Sequence, residues 1–101
     1  MNRLKVMISL NKSKVPWDEL MNAAKHDVPL INEIDMEWKI WLQDRDEGII
    51  GGIYCFQDEE SFKKSMAQGK AEGLLPPLIE KISNQVIEVN LDLSRENKAP
   101  I

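Results

Sequence analysis

Residues 37–56 read "EWKIWLQDRDEGIIGGIYCF", two apolar runs on either side of a short charged segment. In the first run Trp38, Ile40 and Leu42 point to one side, and Lys39, Trp41 and Gln43 to the other. That alternation is the period of a strand. "DRDEG" carries turn chemistry, and residues 49–56 return as a second strand, so the segment is a β-hairpin. Gly51 and Gly52 imply a bulge, or a point where another group comes close to the backbone. Pairing Gln43 with Ile49 would make Trp38 and Tyr54 cross-strand neighbours. Such a cluster either packs a core or lines a ligand pocket, where indole N–H and phenol O–H groups orient a planar polar guest.

The flanking segments extend the pattern. Leu4, Val6, Ile8 and Leu10 alternate with Lys5, Met7 and Ser9, a strand before the hairpin. Pro16 suits a first helical turn, with Ser13 a plausible cap nearby. Trp17, Leu20, Met21, Ala24, Val28 and Ile31 then recur at helical spacing. Pro29 within that stripe predicts a kink or split near Asp27. Asp58 caps a second helix that turns Phe62 and Met66 inward. Residues 68–83 read as a loop with a short helical piece around 78–82. Residues 86–93 read as the last strand, with Ile87, Val89, Leu91 and Leu93 on one face. Residues 94–101 are a polar tail.

The order strand, helix, strand, strand, helix, strand is that of an α+β, ferredoxin-like βαββαβ domain spanning residues 1–101. Its four-stranded antiparallel sheet would carry both helices on one face. The more apolar positions, Leu4/Val6/Ile8, Trp38/Ile40/Leu42 and Ile87/Val89/Leu91, are expected beneath the helices. The mixed face would meet a second subunit through Lys39, Trp41, Glu88 and Asn90.

A chain of 101 residues builds one core with little room for a deep private cavity, which favours a partner subunit. The net charge of −4 argues against nucleic acid as a partner. Cys55 is the single cysteine, so no internal disulfide forms. The N-terminal segment has neither a signal-peptide pattern nor a membrane-spanning length. A soluble cytoplasmic protein is expected, with no membrane partner. No CxxC, HExxH, P-loop or GxSxG motif occurs, and one His with one Cys offers no metal-ligand spacing. No cofactor is therefore expected. His26 is either an exposed helix residue or a pocket acid–base.

The hairpin, together with the start of the second helix, resembles the YdhR-type mono-oxygenase family, whose strands run W-K-x-W, an acidic turn, then G-G-I-Y-x-F-x-D-E-x-S. The matching residues are Trp38, Lys39, Trp41, Gly51, Gly52, Ile53, Tyr54, Phe56, Asp58, Glu59 and Ser61. The ending "VNLDLSRENKAPI" also looks like that family's. Residues 34–36 depart from it, reading "IDM" where many relatives have Pro-Gly. The resemblance implies a dimeric α+β barrel, with two sheets face to face and helices outside. It also implies oxidation of a small aromatic or phenolic substrate by O₂, without metal or flavin, in a homodimer. In that setting Trp38 and Tyr54 would orient the substrate. Trp17 and Phe62 would wall the pocket, and His26 would be the acid–base candidate. A non-catalytic or stress-related dimeric small-molecule binder of the same fold stays open, as does a different reaction on this fold.

Overall fold

The computed structural model describes residues 3–68 and 75–101. In chain order the elements are β1 (Lys5–Ser13), α1 (Trp17–Ile31), β2 (Trp38–Asp44), β3 (Ile49–Phe56), α2 (Glu59–Gln68), a 3₁₀ turn (Pro76–Leu78), β4 (Ile79–Glu88) and α3 (Leu91–Glu96). The four strands form one antiparallel sheet in the order β2-β3-β1-β4, the ferredoxin-like arrangement. The expected loop after α2 falls partly on residues 69–74, outside the described residues.

The hairpin loop is tighter than the sequence suggests. Asp44 Oδ1 accepts from Glu47 N at 3.2 Å, and Gly48 takes a left-handed φ of 67°. Asp44 therefore pairs with Ile49 and Gln43 with Ile50, one residue away from the expected register. A one-residue slip moves a side chain to the other face. Trp38 accordingly faces Cys55 across the ladder, and Tyr54 faces Lys39. The glycines form no bulge in β3, whose pairing with β1 and β2 is regular. Their use is close approach: a Cβ on Gly51 would lie 1.9 Å from the Ser9 carbonyl oxygen.

The two faces are inverted relative to the expectation. Met7, Ser9, Asn11, Ile50, Tyr54 and Phe56 are buried on the side that carries Lys39 and Trp41. Two clusters fill the space between that side and the helices. One joins Met7, Tyr54 and Phe56 to Ile34, Phe62 and Met66. Within it Phe62 meets Phe56 edge-on at 5.3 Å, an arrangement worth about 1 kcal/mol beyond area burial. The other cluster joins Leu20, Ala24 and Ile50 to Leu75 and Ile79, with Trp17 and Trp41 packed against it. The opposite face holds Val6, Ile8, Leu10, Trp38, Ile40, Leu42, Ile53 and Ile87. Ile40 and Ile87 there are about half exposed, at 49% and 48%.

Other boundaries also move. α1 runs unbroken to Ile31 with Pro29 in its last turns, so it does not split near Asp27. Its N-cap is Pro16 without a side-chain cap, while the Ser13 hydroxyl donates to the Val15 carbonyl at 2.7 Å. Asp58 caps α2 as expected, accepting from Ser61 N at 2.8 Å. β4 begins at Ile79, where a helical piece was expected, because Pro76 and Pro77 confine helical geometry to a single 3₁₀ turn. The expected last strand ends at Glu88. Asn90 Oδ1 accepts from Leu93 N at 3.0 Å and starts α3 instead.

Candidate active site between helix α1 and strand β2

Lys39 and Trp41 are two residues apart on β2, so both point under α1. Their partners on β3 are Tyr54 and Gly52. The Lys39 stem leans across Gly52, where a Cβ would lie 2.9 Å from Lys39 Cε and 3.0 Å from the Ile40 carbonyl oxygen. That path brings the ammonium to 3.4 Å from the Trp41 ring centroid and 4.3 Å from that of Tyr54. Lys39 Nζ donates to Tyr54 Oη at 2.9 Å. Tyr54 is 4% exposed and Lys39 is half-buried, so this contact lies mostly out of water. A partly desolvated cation–π contact is worth about 1–2 kcal/mol. A hydrogen bond from a charged donor adds a similar amount, about 1.5–3 kcal/mol.

A cavity of about 410 Å³ opens between the C-terminal half of α1, the segment after it and β2. Val28, Ile31, Ile34, Met36 and Trp38 form its apolar wall; Lys39 and Trp41 form its floor. Asn32 and the exposed Glu37 stand at its rim. A second hollow of about 200 Å³ shares Val28 and Trp41 with it and runs on past Ala24 to Ile50. An apolar cleft with a few converging polar groups is the usual form of a small-molecule site.

Two further polar groups lie beneath α1. Asp27 is fully buried on the inward stripe of the helix with Leu20, Ala24 and Ile31. It adjoins Val28 and stands one turn before Ile31, both of which line the cavity. A carboxylate persists at such depth only with polar company, and Asp27 has it. On β1, Asn11 Nδ2 donates to Ser9 Oγ at 3.3 Å and to the Ile50 carbonyl at 3.2 Å. Asn11 Oδ1 is buried without a partner among the described residues.

The sequence expectations meet this geometry unevenly. Tyr54 joins Lys39 and Trp41, not Trp38. Trp38 departs from β2 on the side opposite Tyr54, yet it lines the same cavity, and Ala99, Pro100 and Ile101 of the C-terminal tail lie beside it and Ile40. Lys39 and Trp41, expected at a subunit interface, are on the helix-covered face. Glu88 lies at the exposed end of β4, 3.7 Å from Arg3, and Asn90 is committed to capping α3. His26 is exposed on α1 and is not brought into the cleft. Trp17 packs at the N-terminal end of α1, and Phe62 against Phe56, so they stand in different clusters. Asp27, Ser9 and Asn11 escaped notice as site residues. The available signal was an acid in phase with Leu20, Ala24 and Ile31 on an otherwise apolar stripe. Cys55 lies on the other face, fully buried. Burial, helped by the Glu37 carboxylate, pushes its thiol up to about 11, which keeps it protonated and poorly nucleophilic at neutral pH. Among the described residues no group of three or more His, Cys, Asp or Glu side chains is placed to hold a metal ion.

The family model described as "Putative mono-oxygenase ydhR" matches residues 7–100. Among solved structures, the chain is similar to SnoaB, a cofactor-independent oxygenase from Streptomyces nogalater. The TM-score is 0.73 at 12% identity, covering 87% of this chain and 94% of that one. It is also similar to a protein of Shewanella oneidensis, with TM-score 0.68 and 17% identity over 86% and 91% of the two chains. A third structure, described as a putative antibiotic biosynthesis monooxygenase from Chloroflexus aurantiacus, gives 0.62 at 15% identity over 85% and 92%. At these identities the structural likeness establishes the ferredoxin-like fold. No curated protein matches the chain.

Proposed function

The chain belongs to the ydhR mono-oxygenase family, and from that membership we propose that it is a homodimeric, cofactor-independent mono-oxygenase acting on a small aromatic or phenolic substrate. The observation that carries this reading is the α1–β2 cleft. It sets an indole face, an ammonium and an apolar wall around one space large enough for a fused-ring guest. Trp41 stacks the substrate, and Lys39, held by Tyr54, balances the charge that develops when the substrate loses a proton. The electron-rich anion passes an electron to O₂, and the two radicals recombine. Loss of water then leaves a carbonyl where a CH₂ stood. Every electron in these steps comes from the substrate, so the protein's share is binding, orientation and stabilisation of the anion.

The homodimer is supported by the uncovered sheet face. Its apolar run through Ile8, Trp38, Ile40 and Ile87 is the kind of surface a small domain covers with another copy. Among the described residues no helix is long and apolar enough to cross a membrane.

The test is oxygen uptake by the metal-stripped protein with anthrones, hydroquinones and related phenols, against a protein-free control. Uptake above the control supports the reading. No uptake from any member of the panel, with ligands still raising the melting temperature, would replace it with a binding protein of the same fold.

A further inference from the structure

The two hollows beneath α1 share a boundary and differ in chemistry. Val28 on the helix and Trp41 on β2 line both. The larger, of about 410 Å³, pairs the last turns of α1 with the start of β2 and carries the polar groups of Asn32, Glu37 and Lys39. The smaller, of about 200 Å³, pairs the preceding turns of α1 with the later residues of β2. The hollows therefore follow one another along the α1–β2 groove, with Val28 and Trp41 at the junction. Between Met21 and Val28, which bound the smaller one, a helix rises about 10 Å. Its walls are apolar, from Met21, Ala24, Val28, Trp41 and Ile50, and the exposed Lys25 and Gln43 border it. Its room comes from one residue. The inward stripe of α1 runs Leu20, Ala24, Asp27 and Ile31, and Ala24, the smallest of the four, is the one that lines this hollow. A position serving the core alone would be filled to interior density.

We infer that the cleft selects aromatic ring systems that carry an alkyl substituent of a few carbons. The rings occupy the larger hollow, and the chain passes between Val28 and Trp41 and lies over Ala24 toward Ile50. Each carbon of the chain takes itself and the facing wall out of water, while the polar part of the guest stays with the polar groups of the larger hollow. Met21 suits such an occupant, because an unbranched thioether adapts to an irregular aliphatic surface. The inference rests on the proposed function only in placing the rings in this cleft; it concerns binding and not turnover.

Calorimetric titration tests this with 2-naphthoate and its 6-methyl, 6-ethyl, 6-propyl and 6-butyl derivatives, which share one charge and one ring system. The expected result in the unmodified protein is a gain in affinity of about threefold for each added carbon. Ala24→Val fills the smaller hollow and should remove that gain, bringing the alkylated probes back to the affinity of the parent. The methyl signals of Ile50 supply a readout that needs no variant: they should shift on binding of the butyl probe and not of the parent. Affinity that is flat or falls along the series would overturn the inference. So would a gain that Ala24→Val retains, Ile50 methyl signals unmoved by the butyl probe, or no binding of any probe. If Ala24→Val fails to fold, the series and the Ile50 signals still decide. Failure of oxygen uptake leaves the chain-length series untouched, and a flat series leaves oxygen uptake with unsubstituted rings untouched, so the two readings fail separately.

Discussion

Lys39 and Tyr54 are direct partners across the β2–β3 ladder, and the lysine ammonium donates to the tyrosine hydroxyl at 2.9 Å on the face covered by α1. The contact spans two paired strands and rests on the absence of a side chain at Gly52. It turns a hairpin otherwise built for packing into the floor of a cleft.

Removing the hydroxyl isolates the contact. Tyr54→Phe keeps the ring in its cluster with Met7 and Phe56 and deletes the acceptor of the Lys39 proton. The expected loss of stability is about 1–2 kcal/mol, seen as a lower urea midpoint with an unchanged slope. A variant with an unchanged midpoint would show that the bond contributes nothing.

The two glycines should respond differently to the same methyl group. Gly51→Ala places a Cβ 1.9 Å from the Ser9 carbonyl oxygen, a clash between two paired backbones. Gly52→Ala meets the flexible end of Lys39 and the Ile40 carbonyl at about a full ångström greater distance. Gly51→Ala should therefore fail to fold or lose most of its stability. Gly52→Ala should fold with a loss of about 1–3 kcal/mol. Equal stability in chemical denaturation would contradict this ranking.

Dimerisation should depend on the uncovered face. Ile40→Glu puts a charge in the middle of that face, where a stable interface needs roughly 800 Å² per partner. Sedimentation should show a folded monomer for Ile40→Glu and for Ile87→Glu. Asn84→Glu, on the helix side of β4, should remain dimeric. A dimer that survives both isoleucine changes would place the interface elsewhere.

Cys55 supplies a pH signature. Its folded-state value of about 11 lies above the ordinary 9.0 of the thiol, through burial first and the Glu37 carboxylate second. Between these values the unfolded chain releases the proton while the folded chain keeps it, so stability falls as pH rises from about 9 to 11, and below that window this thiol adds no pH dependence. Denaturation midpoints at the two ends should differ less in Cys55→Ala than in the unmodified protein. Identical pH slopes would show that the thiol is not the group responsible.

Much of the fold was legible in the sequence because period-two and helical stripes are strong signals in the hairpin, in β1 and in α1. The order of elements follows from them, while the family likeness rests on the W-K-x-W and G-G-I-Y-x-F residues of the hairpin. The choice of face was not legible, for a physical reason. Hydrophobicity points to the Val6, Ile8, Trp38 and Ile40 side as the interior, yet α1 and α2 pack on the other side, and only the C-terminal Ala99, Pro100 and Ile101 lie beside Trp38 and Ile40. The helix-covered side holds Ser9, Asn11, Lys39 and the Asp27 stripe, polar groups that mask its interior character in the sequence. The helix-covered side is thus less apolar in sequence than the side the helices leave open. The register error had a separate origin: the Asp44 turn closes the hairpin in four residues, and no local signal distinguishes that from five. In the last segment the alternation of Ile87, Val89, Leu91 and Leu93 masked the Asn90 cap that starts α3.

The central claim is that ligands enter the α1–β2 cleft and rest on Trp41. The most direct measurement is a nitrogen-15 NMR titration of the 11.6 kDa chain with 2-naphthoate, following the three indole N–H signals of Trp17, Trp38 and Trp41. The account expects the Trp41 indole to shift most, together with the amides of Val28, Ile31 and Lys39, while Trp17 stays in place. Largest shifts at Ile40, Ile53 and Ile87, with Trp41 unmoved, would put the ligand on the opposite sheet face and contradict it.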